Sequence, residues 1–259
     1  MALSRTSHVN VSGASSGSLT TSSFTPSDNS LLVVGVGFNG PSGDPSATIA
    51  LSGGGLTWTR QIYKWQTNTD FPPGGSGVAI YTAPVSTGAS MTVTLTQSGT
   101  TSFFISVIEY TGYNTASPVG GTASNSRFGG VGAMTATLSS TPATTSEVFS
   151  VALAESDDSP RSAIITSGTG WTSLWADEWF NFDAFETEVR GSSTSTTVTW
   201  DNIDLFTDPE NLPGSIAAIE IQAATFADNK FIVSGTATNG NKIQFVNSSG
   251  GNIMTGRNG

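Results

Sequence analysis

The chain has 259 residues, of which 9 are basic and 19 acidic, a net charge of −10, and no cysteine. That balance argues against nucleic acid or an anionic membrane as a partner, since both call for clustered Lys and Arg. It also leaves no disulfide, thiolate nucleophile or Cys-ligated zinc.

Ser and Thr together supply 75 residues (38 and 37) while charged residues reach only 11%, so the strong helix formers Glu and Lys are scarce. Apolar runs recur along the whole chain, which argues against disorder. Residues 1–5 have no apolar core behind them, so no signal peptide is expected. No apolar run approaches the roughly 18 residues of a membrane-crossing helix.

Strand patterns follow in order. Segments around Val9-Asn10-Val11 and Leu19-Thr20-Thr21 read as edge strands. Ser30-Leu31-Leu32-Val33-Val34-Gly35-Val36 is a buried run bounded by turn residues on both sides. Residues 56–65 are β-rich. Residues 78–82 follow a Pro72-Pro73-Gly74-Gly75 turn, and Met91, Val93 and Leu95 share one face of an alternating segment. Residues 102–110 close the set.

The same order then recurs. Residues 146–153 match the run from Ser30 at an offset of 116 (146 − 30), and Trp171 matches Trp58 at 113 (171 − 58). Residues 197–200 match 92–95 at 105 (197 − 92), and Glu220 matches Glu109 at 111 (220 − 109). Ordered matches at offsets differing by loop-sized amounts indicate a tandem repeat. The expected fold is all-β: two tandem β-sandwiches, jelly-roll or immunoglobulin-like, over residues 1–114 and 115–222.

Residues 223–259 form a third segment. Asn239-Gly240 between Lys230-Phe231-Ile232-Val233 and Lys242-Ile243-Gln244-Phe245-Val246 is a hairpin signal. A lone hairpin is marginal in water. This one is therefore expected to pack on the second sandwich, another subunit or a different protein, as an attachment element. The tail 250–259 reads as too glycine-rich to hold one shape.

Twelve of the 19 acidic residues lie between Glu155 and Glu210. Loop carboxylates can supply the six to eight oxygens that calcium takes, which makes Asp157, Asp158, Asp201, Asp204 and Asp208 candidate ligands for a structural calcium. The alternative is a solvated acidic face, and no other cofactor is expected. Glu186 and Glu188 lie two apart on one strand, on one face, at a spacing that suits a glycosidase pair, although strand carboxylates more often face solvent. Glu109 and Glu220 read as hydrogen-bonded structural carboxylates. Trp171, Trp175 and Trp179 have even spacing and would share one face of a continuous strand. Trp175 and Trp179 are therefore candidate glycan or interface contacts, the alternative being burial. His8, the only histidine, reads as a polar strand or surface residue without chemistry.

The opening Met1-Ala2-Leu3-Ser4-Arg5-Thr6-Ser7, the Ser30-Leu31-Leu32-Val33-Val34 strand, the Gly170-Trp171-Thr172 turn and the Val107-Ile108-Glu109-Tyr110-Thr111-Gly112 unit end resemble tailed-bacteriophage virion structural proteins with tandem β-sandwich repeats. The resemblance covers residues 1–222. It implies a non-enzymatic role on the virion exterior, as a capsid decoration protein or head spike in preference to a tail component. The implied partners are further copies of the chain and other virion proteins. It carries over no catalytic residue. The alternatives are a carbohydrate-binding, receptor-binding module directed at a host-surface glycan, and a polysaccharide-degrading enzyme.

Overall fold

A computed structural model describes residues 2–15, 17–41, 43–68, 74–97, 101–130, 132–155, 165–179, 183–203, 213–224, 242–246 and 252–257. All regular elements among these are strands. The first eight are β1 (Ser4–Ser15), β2 (Ser18–Thr20), β3 (Ser30–Pro41), β4 (Ala50–Ser52), β5 (Thr59–Asn68), β6 (Gly74–Val85), β7 (Thr94–Thr96) and β8 (Thr101–Thr111). The next eight are β9 (Val119–Phe128), β10 (Met134–Thr137), β11 (Glu147–Glu155), β12 (Ile165–Ser167), β13 (Thr172–Trp179), β14 (Asp183–Gly191), β15 (Thr197–Ile203) and β16 (Pro213–Ile221).

The first set builds a five-stranded sheet, β1-β8-β3-β6-β5, and a three-stranded sheet, β2-β7-β4. The second set builds β9-β16-β11-β14-β13 and β10-β15-β12. Adding eight to each strand number converts one arrangement into the other, so the duplication read from sequence is a duplication of topology.

Burial orders these sheets into four layers. One core, with Leu32, Val34, Phe103 and Leu95, lies between the two sheets of the first repeat. A matching core with Val148, Ala152, Trp200 and Ile216 lies within the second. A third core joins the two five-stranded sheets face to face through Val33, Ile80, Phe104, Phe149, Leu153, Phe185 and Ile219. The central strands are thus covered on both faces. This is why residues 31–36, and residues 148–153 apart from the buried Ser150, read as apolar runs instead of alternating ones.

The joint between the repeats has two-fold character. Gly35 lies against Val151, its own counterpart at the offset of 116 (151 − 35); a Cβ on Gly35 would come within 2.5 Å of Val151 Cγ1. A Cβ on Gly37 would come within 2.5 Å of Phe185 Cδ2. The two glycines therefore let the sheets close on bulky partners. β1 contacts β13 and β5 contacts β9, and each of these pairings is the counterpart of the other.

Residues 2–224 form one compact unit. It closes where Tyr113 bridges Ala223 and Ala224 N–H donates to Gly112 O at 2.8 Å. Residues 225–259 belong to a second unit. There β17 (Lys242–Val246) pairs antiparallel with β18 (Asn252–Arg257), with Lys242 opposite Arg257 and Phe245 opposite Met254. The Lys230–Val233 arm and the Asn239-Gly240 turn expected from sequence lie outside the described residues. The glycine-rich tail does take a strand conformation over 252–257. Ladder pairing uses backbone N–H and C=O, and glycine keeps both.

Candidate functional site

On β14, Phe185 and Val189 face the first repeat, while Ala184 faces the three-stranded sheet of its own repeat. Glu186 and Glu188 alternate with the former and so share the inner face, as their spacing requires. Both are buried, with 5% and 0% of their surface exposed. Ser167 Oγ–H donates to Glu186 Oε1 at 2.6 Å, and Gly168 N–H donates to Glu188 Oε2 at 3.1 Å.

Burial pushes the Glu188 carboxyl up to about 9, Gly168 N–H works against that rise, and the neighbouring Glu186 adds to it. At neutral pH Glu188 is therefore a neutral acid. A group with no exposed surface cannot reach a glycosidic oxygen.

The repeat supplies a comparison. Gly35 pairs with Ile80 and its counterpart Val151 pairs with Thr187. Ala79 and Tyr81 therefore correspond to Glu186 and Glu188. Val36 and Phe38 likewise correspond to Ala152 and Ala154. In the first repeat Val36, Phe38 and Tyr81 fill this layer, with Tyr81 hydroxyl donating to Ile49 O at 3.4 Å. In the second, alanines leave room that the two carboxyl side chains occupy while anchoring the turn after β12.

Glu109 and Glu220 play the structural part expected of them. Ser27 N–H donates to Glu109 Oε1 at 3.0 Å, and Ala143 N–H donates to Glu220 Oε1 at 3.0 Å. The second oxygen of Glu220 accepts Gly121 N–H at 3.1 Å, and that of Glu109 meets His8 Nε2. His8 stands where the register of β1 shifts between Ser7 and Val9, and Gly121 stands where β16 shifts register between Ile219 and Ile221. The histidine is thus not a bystander on the surface: a bulge turns it onto a buried carboxylate, and its ring packs 4.9 Å from Phe24. Burial pushes the Glu109 carboxyl up, but hydrogen bonds from Ser27 and His8 outweigh it and hold the group below its ordinary value.

Of the calcium candidates, Asp157, Asp158, Asp204 and Asp208 lie outside the described residues. Asp201 is exposed on β15 and accepts Thr169 Oγ–H at 2.7 Å. Among the described residues no three His, Asp or Glu side chains converge as a metal site.

The three tryptophans do not share one face. The register of β13 against β14 shifts between Ser173 and Trp175, and a one-residue shift reverses the faces beyond it. Trp171 packs on the inner core of the second repeat, with the Arg190 guanidinium 4.5 Å over its ring. Trp175 turns the other way, into the joint between repeats, with ring centroids 5.5 Å from Phe185 and 6.4 Å from Phe104. It is an interface residue within the chain. Trp179 pairs through its backbone with Asp183.

Sequence reasoning missed the polar rim of that joint. Arg5 and Glu147 form an ion pair at 2.6 Å, and Tyr110 hydroxyl donates to Glu147 at 2.6 Å. Ser12 donates to Asp177 at 2.5 Å. Asp183, 3% exposed, accepts from the Asn39 amide, and burial pushes its carboxyl up to about 7 against the hydrogen bonds from Ser102 and Asn39. A cleft of about 350 Å³ opens beside Ile165, Ala176, Glu178 and Ala184, at the end of the second repeat's inner face.

No protein-family model, no curated protein and no solved structure matches this chain.

Proposed function

We propose that the chain is a non-enzymatic structural protein of a bacteriophage virion exterior, a capsid decoration or head-spike subunit in preference to a tail component. It acts among other copies of itself and other virion proteins. The observation that carries this reading is the division at Ala224. A body of two repeats, closed by the Tyr113–Ala223 bridge, is followed by a separate small unit holding a two-stranded sheet. Among the described residues this sheet has two strands, a size that is marginal alone, which suits an element completed by a neighbouring protein. The low-charge, Ser/Thr-rich β composition is compatible with the same role.

The experiment is immunogold labelling of gradient-purified particles with an antibody against residues 2–224. Labelling of the particle exterior is expected; particles free of the chain would overturn the reading. A carbohydrate-binding module is the second reading, favoured by Tyr63 and Trp65, two half-buried aromatic side chains on one face of β5.

A further inference from the structure

The chain divides its charge where it divides its structure. Residues 2–224, one compact unit, hold 18 of the 19 acids and 6 of the 9 bases, a net charge of −12 (6 − 18). Residues 225–259, in the other unit, hold Lys230, Lys242 and Arg257 against Asp228 alone, a net charge of +2 (3 − 1). The register of β17 against β18 puts Lys242 opposite Arg257. Like charges directly opposite destabilise a strand pair, and a pair already marginal by its size gains from an anionic neighbour.

The second repeat offers such a neighbour. The walls of its cleft are apolar, with half-buried Ile165 and the buried Ala184 and Phe185. Its charged members are Asp177 and Glu178, and no basic residue is among the described residues that line it. Asp177 is already engaged, accepting Ser12 Oγ–H at 2.5 Å and Glu178 N–H at 2.9 Å. The exposed Glu178 carboxylate has no hydrogen bond or ion pair among the described residues. The two described arginines of this repeat are committed elsewhere. Arg127 donates to Ile203 O at 2.7 Å and Ala133 O at 3.3 Å, and Arg190 to Thr197 O at 2.7 Å and Ser195 O at 2.6 Å.

The first repeat is an internal control. Trp65 pairs with Gly77, and their counterparts are Glu178 and Ala184. Phe38 is matched by Ala154. In the first repeat the Phe38 and Trp65 rings stack, with centroids 5.9 Å apart, and close this place. In the second, alanine and glutamate replace both rings, which opens a space and sets a free charge beside it. The sandwich itself calls for neither change.

We propose that this cleft, through Glu178, receives the Lys242–Arg257 end of the β17–β18 unit of a second copy of the chain. Its volume of about 350 Å³ lies at the low end of the roughly 300–1,000 Å³ of ligand pockets. That suits one long side chain and not a whole strand. A basic side chain lays its aliphatic stem on the apolar wall and carries its charged head to the carboxylate. The contact is heterologous, the small sheet of one copy on the cleft of the next, so it runs on along a row of copies unless the rotation closes a ring. The proposal rests on the reading of β17–β18 as an attachment element and names a further copy as what it attaches to.

The test is sedimentation velocity of the full chain over a range of concentrations, at low and high salt. Self-association is expected, weaker at high salt. Glu178→Lys, at an exposed position, and the double variant Lys242→Glu/Arg257→Glu are each expected to weaken it by about tenfold or more. Mixing these two variants is expected to restore association, because each then meets the opposite charge on the other. If the double variant does not fold, Glu178→Lys decides alone. A chain that stays monomeric at every concentration overturns the proposal, and so does association indifferent to Glu178→Lys. A monomer whose melting temperature falls with Glu178→Lys also overturns it, and assigns the cleft to the same chain's own terminal unit. Particles free of a chain that self-associates in this way would sink the virion reading and leave the docking site standing; labelled particles with a monomeric chain would do the reverse.

Discussion

Glu109 and Glu220 occupy equivalent places in the two repeats and perform the same task. Each accepts a backbone N–H from the loop that leads into the central strand, from Ser27 in one repeat and Ala143 in the other. The two donors are themselves separated by the same 116 residues (143 − 27) as the strands they precede. A buried carboxylate retained in both copies is thus explained by the fold.

Replacing Glu220 by Ala leaves Gly121 and Ala143 N–H without their acceptor. Loss of stability by about 2–4 kcal/mol is expected, read as a lower urea midpoint. Glu220→Gln keeps one acceptor and should lose about half as much. A change below about 0.5 kcal/mol for Glu220→Ala would contradict the role.

The two-fold joint is tested at Gly35. Gly35→Ala places a methyl 2.5 Å from Val151 Cγ1 and 3.0 Å from Phe149 Cζ. Overpacking of this kind costs about 1–3 kcal/mol. Val151→Ala alone should also destabilise, through the cavity it leaves. The double variant should recover part of the loss, a coupling of about 1 kcal/mol in a double-mutant cycle. Strict additivity would mean that the two residues do not meet.

Stability should fall as pH rises from about 4 to about 9. The carboxyls of Asp183 and Glu188 are held up to about 7 and about 9 when folded, against roughly 4 in an unfolded chain. The folded state therefore binds more protons, and the contribution of these groups is full below about pH 4 and lost as pH rises through 7 and then 9. Glu109 works in the opposite sense: its carboxyl is held below the ordinary value, so its contribution is lost only as pH falls below about 4. The urea midpoint should decline from pH 5 to pH 9, and Asp183→Asn should flatten the part below pH 8. A midpoint that rises over that range would contradict the burial of both groups.

Much of the fold was legible because it is written in local pattern. Leu31 to Val36 has no polar side chain, Val148 to Leu153 is broken only at Ser150, and Glu109 and Glu220 stand out as the acids within apolar strands. The site was less legible for three physical reasons. The shift between Ser173 and Trp175 is a backbone irregularity with no residue signature, and it sent Trp175 into the joint and Trp171 to the other face. The contact of Asn39 with Asp183 joins residues 144 apart, which no local window holds. Gly74, Gly75 and Gly77 carry the composition of a turn, yet they lie within β6, where missing side chains make room for Trp65.

The most direct test of the account is the copy number, on purified particles, of a chain ending at Ala224. Residues 2–224 close on themselves through the pairing of 112–114 with 222–224, so the truncated chain should unfold cooperatively. With the β17–β18 unit gone, it should be missing from the particles. Incorporation at the full-length copy number would contradict the proposed attachment.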